Sequence, residues 1–405
     1  MKVLLVNKFY YRRGGAETYL LSLAELLKSH GHEVAIFSMA HPDNLPSPWS
    51  KYFISEVKLD QQQGLAKDLQ TAGHYFYSLE AKKKVAALVK DFKPDVVHLQ
   101  NFAHQLTPSI ISVFRKHKIP VVWTLHDYQL ICPNYRLYTQ GAVCDRCYRY
   151  HYYNACLHRC VHNSYLQGAW AGLEQTAVKI YGGYRRGIQT YIAPSKFMQE
   201  VCQDWGVKKE IRQIYNFIDL AQFEAISTVG DYLVYAGRLV PEKGILTLVK
   251  AVLALPQAKL QILGEGPLQD EILALTKGQK NIKVLGRVAG DQVKEIISGA
   301  RAVVVPSEWY ENNPYSVLEA QALGKVVVAT KLGGLPELIT DQYDGFVFSA
   351  GVVDELKLVL EKIYKLSDSE LVLRGEQARA RARLNYSPEK HYGELMKVYT
   401  TLVGV

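Results

Sequence analysis

Residues 232–255 read YLVYAGRLVPEKGILTLVKAVLAL. The stretch opens on a short β-branched and aromatic run, passes through a loop flanked by Gly237 and Gly244, and closes on apolar residues at helical spacing. A strand over 232–235 followed by a helix over 245–255 is one βα unit of a parallel α/β sheet. In such sheets ligands bind beyond the carboxyl ends of the strands. Arg238 and Lys243 stand at that place. Arg238 offers a planar fork for phosphate oxygens and Lys243 a compact charge. The plainer reading of both is surface charge at a helix end.

The same alternation extends in both directions. Downstream, strands are predicted over 259–263, 282–285, 302–305 and 326–329, with helices between them. Upstream, strands are predicted over 3–6, 34–37, 95–99, 121–125 and 191–193. Helices are expected over 16–29 and 64–92. The periodic pattern lapses over 219–230. The chain therefore divides into a domain over 1–218, carrying an insertion over 132–163, and a second over 219–385. A last helical stretch within 386–405 is expected to pack back on the first. The fold class is α/β with two Rossmann-like domains, and no internal sequence repeat is visible.

The length of 405 residues suits two domains, and 48% apolar with 21% charged residues is an ordinary globular composition. No apolar run is long enough to span a bilayer. The first apolar run, 3–6, lacks the length of a secretory core, so a cytoplasmic location is expected. The net charge of +9 is unevenly placed. Residues 1–205 hold 24 Lys/Arg and 15 Asp/Glu, whereas the rest hold 24 of each. A basic first half suits an anionic acceptor, an anionic membrane surface or simple solubility. Nucleic acid is not expected, since no nucleic-acid-binding motif is present.

Two further motifs carry chemistry. Gly14-Gly15 follows the first strand and opens a helix, where amides can approach an anion. It departs from the full G-x-G-x-x-G fingerprint, which argues against a dinucleotide. The stretch Glu311-Asn312-Asn313-Pro314-Tyr315-Ser316-Val317-Leu318-Glu319 places two carboxylates eight residues apart. Glu319 falls in an apolar helix, where an inward carboxylate needs hydroxyl partners or a raised pKa. Glu311 precedes the helix, beside its exposed amides.

The Glu-x7-Glu spacing, the Gly-Arg-Leu…Glu-Lys-Gly segment and Gly333-Gly334-Leu335-Pro336-Glu337 together resemble glycosyltransferase family 4, a retaining family of GT-B fold. The resemblance implies a UDP- or GDP-sugar donor in the second domain and a glycan or lipid-linked acceptor in the first. It implies that Arg238 and Lys243 neutralise the donor diphosphate, that Glu311 holds the transferred sugar, and that Glu319 binds the ribose. Asn313, Pro314 and Tyr315 would present amides to sugar and phosphate. Gly264 would lie beside the nucleotide, and Arg287 and Val288 beside the base. His126 would stand near the transferred sugar, and Gly14 and Gly15 would close over the diphosphate. Asn312-Asn313-Pro314 departs from a glycine- and phenylalanine-containing segment common in the family, which bears on sugar specificity.

No Asp-x-Asp motif is present, so cationic side chains and helix dipoles are expected in place of a catalytic metal. Surface polysaccharide assembly at the inner membrane face is the expected setting. An epimerase of the same fold and a non-catalytic nucleotide-sugar-binding protein are the alternatives.

Five of the six cysteines fall at Cys132, Cys144, Cys147, Cys156 and Cys160. The Cys144-x2-Cys147 and Cys156-x3-Cys160 pairs have metal-ligand spacing. The expectation is a structural zinc site or an iron–sulfur cluster on those four, with free thiols and disulfides as the other readings. Cys132, His151, His158 and His162 are substitutes. Tyr135, Arg136, Tyr138, Tyr148, Arg149, Tyr150, Tyr152 and Tyr153 enrich the same insertion, which is expected to form an acceptor-side lid.

Overall fold

The computed structural model describes residues 1–57, 77–184, 186–225 and 227–404. Among them the first sheet has six strands, all parallel. They are β1 (Lys2–Val6), β2 (Glu33–Phe37), β3 (Val96–Leu99) and β4 (Val121–Thr124), then β7 (Thr190–Ala193) and β8 (Ile211–Gln213). Between β4 and β7 the insertion carries a small antiparallel hairpin, β5 (Tyr138–Thr139) with β6 (Ala142–Val143). The spatial order is β2-β1-β3-β4-β7-β8. Val3 pairs with Val34 on one side and Val96 on the other, so β1 is central. Its residues Val3 to Val6 are fully buried, as continuous apolar strands covered on both faces must be.

The second sheet repeats the plan. Its strands are β9 (Tyr232–Ala236), β10 (Lys259–Leu263), β11 (Ile282–Gly286), β12 (Ala302–Val305), β13 (Val327–Thr330) and β14 (Gly345–Phe348). They are parallel, in the order β11-β10-β9-β12-β13-β14. The chain steps outward from β9 to β11, then returns to lay β12 against the other edge of β9. The loops after β9 and β12 therefore diverge from one crevice, a topological switch point.

The expected helix over 64–92 is present as Leu79–Phe92, capped by the Ser78 hydroxyl; residues 64–76 lie outside the described residues. A helix that the sequence pattern did not predict, Tyr165–Ile180, follows the insertion. The C-terminal helices divide between the domains. Asp368–Asn385, opened by a Ser367–Glu370 capping box, packs on Tyr315–Ala322 in the second domain. Pro388–Val403 lies on the first, burying Leu395, Val398 and Tyr399 against Val3, Leu5, Leu20 and Leu23. The Tyr399 hydroxyl meets His98 Nδ1 at 2.6 Å, and the Tyr19 hydroxyl meets His391 Nε2 at 3.1 Å. The outgoing and returning passes of the chain are bonded to each other: Ile218 N–H donates to Tyr386 O at 2.8 Å, and the Tyr215 and Tyr386 rings meet edge to face.

Gly375 sets the close approach of two helices, since a Cβ there would stand 1.9 Å from Gly324 O. Gly393, by contrast, has nothing within 4 Å of its would-be Cβ. Gly375→Ala is expected to lower the thermal midpoint by an amount equivalent to roughly 1–3 kcal/mol of overpacking. Gly393→Ala is expected to raise it slightly, by about 0.5–1 kcal/mol of helix propensity. Circular dichroism melts of the two variants check both signs.

Candidate functional site

Three loops at the carboxyl ends of β9, β10 and β12 build the floor of the crevice. They approach backbone to backbone. Gly237 N–H donates to Leu263 O at 3.0 Å, Leu239 N–H to Glu265 O at 2.9 Å, and Gly264 N–H to Gly286 O at 2.8 Å. A Cβ on Gly264 (φ +134°) would stand 1.9 Å from Gly237 O, and one on Gly244 (φ +65°) would stand 1.8 Å from Pro306 O. Only glycine allows that contact and those dihedrals.

At the switch point Lys243 Nζ donates to Glu311 Oε1 at 2.5 Å, and the Ser307 hydroxyl donates to the same oxygen at 2.7 Å. Both side chains are largely buried. Burial alone would raise the Glu311 pKa, but the Lys243 charge and these hydrogen bonds outweigh it and hold the carboxyl below its usual range. Lys243 also lies near the face of Trp309, 5.1 Å from the ring centroid. Arg238 is mostly exposed and reaches Glu242 only at 3.9 Å, so its fork stands out over the crevice.

The loop after β12 runs into the helix Tyr315–Ala322, which opens without a side-chain cap. Val317 and Leu318 N–H donate to Pro314 O, which leaves the Tyr315 and Ser316 amides available to a ligand. Glu319 lies one turn in. Burial pushes its carboxyl up to about 7, with Lys294 and Arg12 drawing it back, and no described residue hydrogen-bonds it. The same segment holds buried polar groups without a partner: both amide atoms of Asn313 and the Tyr315 hydroxyl. Such a concentration of unsatisfied groups marks a place built for a polar ligand. Arg287 is exposed and Val288 half-buried just past β11, the outermost strand on this side of the crevice.

The first domain supplies the opposite wall. Gly14 is the extended residue before the helix Gly15–Ser29, and a Cβ on Gly15 would lie 3.6 Å from the Tyr315 ring. His126 ends β4 with Nε2 2.7 Å from Gln100 Oε1, and burial lowers its pKa to about 3. It is therefore a neutral imidazole at physiological pH. Gln100 Nε2 is another buried group with no partner. The two walls are joined directly. The Tyr128 hydroxyl donates to Asn312 Oδ1 at 2.9 Å, and Asn312 Nδ2 donates to His126 O at 3.3 Å. Glu337 accepts from the amides of Lys196 and Phe197 and from the Tyr215 hydroxyl, so a carboxylate of one domain covers a helix N-terminus of the other. From the insertion, Arg136 reaches Glu242 at 3.4 Å.

Cys132, Cys144, Cys147 and Cys160 line a cavity of about 10 Å3 together with Trp205, and Cys156 is not among its lining residues. Among the described residues no three Cys, His, Asp or Glu side chains are grouped so as to hold a metal ion, and no disulfide is formed. Three members of the expected set, Cys144, Cys147 and Cys160, thus meet at this cavity with Cys132, and Cys156 does not line it. Burial pushes the Cys132 thiol up to about 12 and raises those of Cys147 and Cys160.

Residues 13–222 match the model described as Glycosyltransferase Family 4, and residues 219–381 match that of Glycosyl transferases group 1. The chain belongs to glycosyltransferase family 4. A protein encoded in the cps region of Klebsiella pneumoniae, described as an uncharacterized 42.6 kDa protein, is 26% identical over 357 residues, covering 84% of this chain and 87% of that protein. Sucrose-phosphate synthase from Thermosynechococcus elongatus superposes with a TM-score of 0.73 at 17% identity, covering 100% of this chain and 99% of that one. The Anabaena protein HepE, solved with UDP and glucose, gives 0.69 at 18% identity, covering 99% of this chain and 100% of that one. These likenesses show the GT-B fold.

In this glycosyltransferase Lys243, Glu311, Asn313, Pro314 and Tyr315 converge at the switch point, with Glu319 on the helix behind them. Sequence reasoning missed Gln100, Trp309 and Ser307. None lies in a motif; an orphaned amide nitrogen reveals Gln100, and contact with Lys243 and Glu311 reveals Trp309 and Ser307.

Three buried histidines make the fold sensitive to acid. Burial lowers His126 to about 3 and His391 to about 4, and lowers His98 well below its usual value. Each takes up a proton on unfolding from about pH 6.5 downward, so each withdraws roughly 1.4 kcal/mol per pH unit until its folded value is reached. Glu319 acts oppositely, because its raised folded pKa adds stability as pH falls from about 7 towards 4.5. The expected net result is a falling urea midpoint between pH 6.5 and 4.5, shallower in His391→Asn. A flat profile in the parent protein contradicts the assignment.

Proposed function

We propose that this glycosyltransferase moves a sugar, with retention at the anomeric carbon, from a nucleoside-diphosphate donor held by the second domain. The acceptor is a glycan or lipid-linked sugar held against the first domain, and the setting is surface polysaccharide assembly at the inner membrane face. The observation that carries the reading is the buried Lys243–Glu311 pair at the switch point, 2.5 Å apart, with Arg238 exposed on the same loop. The Klebsiella relative in a cps region and the UDP-bound neighbour support the polysaccharide setting and the donor class.

Departure of the nucleoside diphosphate builds negative charge on its terminal phosphate and positive charge at the anomeric carbon. Arg238 takes phosphate oxygens in its fork, and Lys243 shares its charge between Glu311 and the leaving group. The uncapped amides of the helix Tyr315–Ala322 add a preorganised positive end. Glu311 stays ionised and accepts hydroxyl protons of the sugar, which orients the anomeric carbon over the diphosphate. Its charge also favours the developing cation. Glu319 receives the ribose hydroxyls that its carboxylate lacks in the free protein. His126 is a neutral hydrogen-bonding partner for the sugar and adds no charge. Retention follows when the acceptor hydroxyl attacks from the face that the diphosphate is leaving, with that phosphate taking its proton.

Arg238→Ala and Lys243→Ala are each expected to lower kcat by about 10²–10³, the usual loss when one preorganised donor to a developing charge is removed. The double variant should retain its thermal midpoint within a few degrees of Lys243→Ala. Transfer from labelled UDP- and GDP-sugars, read alongside their acceptor-independent hydrolysis, measures this. Unchanged transfer by the double variant rejects the reading. Donor affinity should also weaken below pH 7 as Glu319 takes up a proton, and Glu319→Gln should remove that pH dependence.

A further inference from the structure

The helix Tyr165–Ile180 is inverted. Its inward face carries Gly168, Gly172, Glu174, Gln175 and a single large apolar residue, Val178, all buried. Gln175 Nε2 donates to Gln129 O at 2.7 Å, and Glu174 Oε1 stands 3.2 Å from His104 Nδ1. The two glycines seat the helix on the insertion, because a Cβ would come within 2.2 Å of Ala155 O at Gly168 and within 2.7 Å of Tyr152 O at Gly172. The outward face is apolar along its whole length. Leu166, Trp170, Leu173, Ala177 and Ile180 recur at intervals of three or four residues and, with Tyr181, occupy one stripe. Leu166 is 83% exposed, Ile180 71% and Tyr181 78%. Exposed Tyr153 and Leu157, on and before the short helix Asn154–Leu157, add to this apolar surface.

Burial cannot explain such a helix, since folding in water alone would turn this stripe inward. We infer that the apolar face of Tyr165–Ile180 docks on an anionic lipid bilayer, lying in the plane of the interface.

Two observations choose the bilayer over a second copy of the chain. The first is charge. Residues 146–186 contain Arg146, Arg149, Arg159, Lys179, Arg185 and Arg186, and Glu174 is their one acidic residue. Glu174 is buried, so the helix itself exposes no carboxylate, while Lys179 lies in its last turn and Arg159 lies over the Tyr165 ring at its start. Pairing two copies about a two-fold axis would set like charges against each other, whereas anionic headgroups complement them. The second is area. A 16-residue helix is about 24 Å long and about 10 Å wide, so its stripe covers on the order of 250 Å2, against about 800 Å2 per partner in a standard dimer. An interfacial helix needs no more than such a stripe, and Trp170, Tyr165 and Tyr181 have the apolar body and polar tip that suit the headgroup boundary. This inference does not rest on the reaction proposed above, since binding to lipid is measured without turnover.

The test is sedimentation of the full chain with vesicles of equimolar phosphatidylglycerol and phosphatidylcholine, with pure phosphatidylcholine vesicles alongside. The parent protein should partition into the anionic vesicles and be released by high salt. The triple variant Leu166→Ser, Leu173→Ser, Ile180→Ser should lose at least about tenfold in partition, with its circular dichroism spectrum unchanged. Should that variant fail to fold, brominated phosphatidylglycerol must quench the parent protein's tryptophan emission more than that of Trp170→Phe. Parent protein that stays in the supernatant, or a folded triple variant that binds equally, overturns the inference. So does a parent dimer in sedimentation velocity that the triple variant abolishes without any vesicle binding.

Discussion

The contact between Lys243 and Glu311 organises the second domain's half of the cleft. An ammonium and a carboxylate buried together are costly to desolvate, and removing either leaves the other stranded. The fold meets that cost by holding the pair with Ser307 and by setting it where β9 and β12 diverge. The glycines at 237, 244 and 264 follow from the same demand. The strand-end loops close in there, backbone on backbone, at Gly244 and Gly264. The uncapped helix behind it, with Glu319 free of hydrogen bonds from described residues and with Asn313 and Tyr315 unsatisfied, adds further polar groups to this surface.

The other wall is fastened to this one by polar contacts alongside aromatic ones, Tyr310 meeting Phe197 and Tyr128. Tyr128 with Asn312, Glu337 with the amides of Lys196 and Phe197, and Arg136 with Glu242 all cross the cleft. Each is a polar contact that water can replace. Interfaces of this kind separate at modest cost, as domain motion in a two-domain enzyme requires.

Much of this was legible in the chain itself. Continuous apolar runs such as 3–6 and 302–305 can only be buried parallel strands, and the spacing from Glu311 to Glu319 placed two carboxylates about one helix correctly. What escaped notice obeys a different rule. The helix Tyr165–Ile180 turns its polar residues inward, so an argument that expects water to face the polar side finds no element there. Cys156 shares a helix-like spacing with Cys160, yet Cys132, remote in sequence, takes its place at the cavity because the chain doubles back. Gln100 and Trp309 carry no motif. Gln100 shows itself only by an amide nitrogen left over once the fold has formed, and Trp309 only by its place against Lys243 and Glu311.

The two passes of the chain between the domains, zipped by the bond from Ile218 to Tyr386, have a mechanical consequence. A single connector acts as a swivel and lets one body rotate freely about it. Two connectors joined side by side resist torsion and permit flexing about the line they share. The halves therefore part as the covers of a book do about its spine. On each reclosing, the page bearing Lys243 returns to the page bearing His126 in the same alignment, without a search through rotated arrangements.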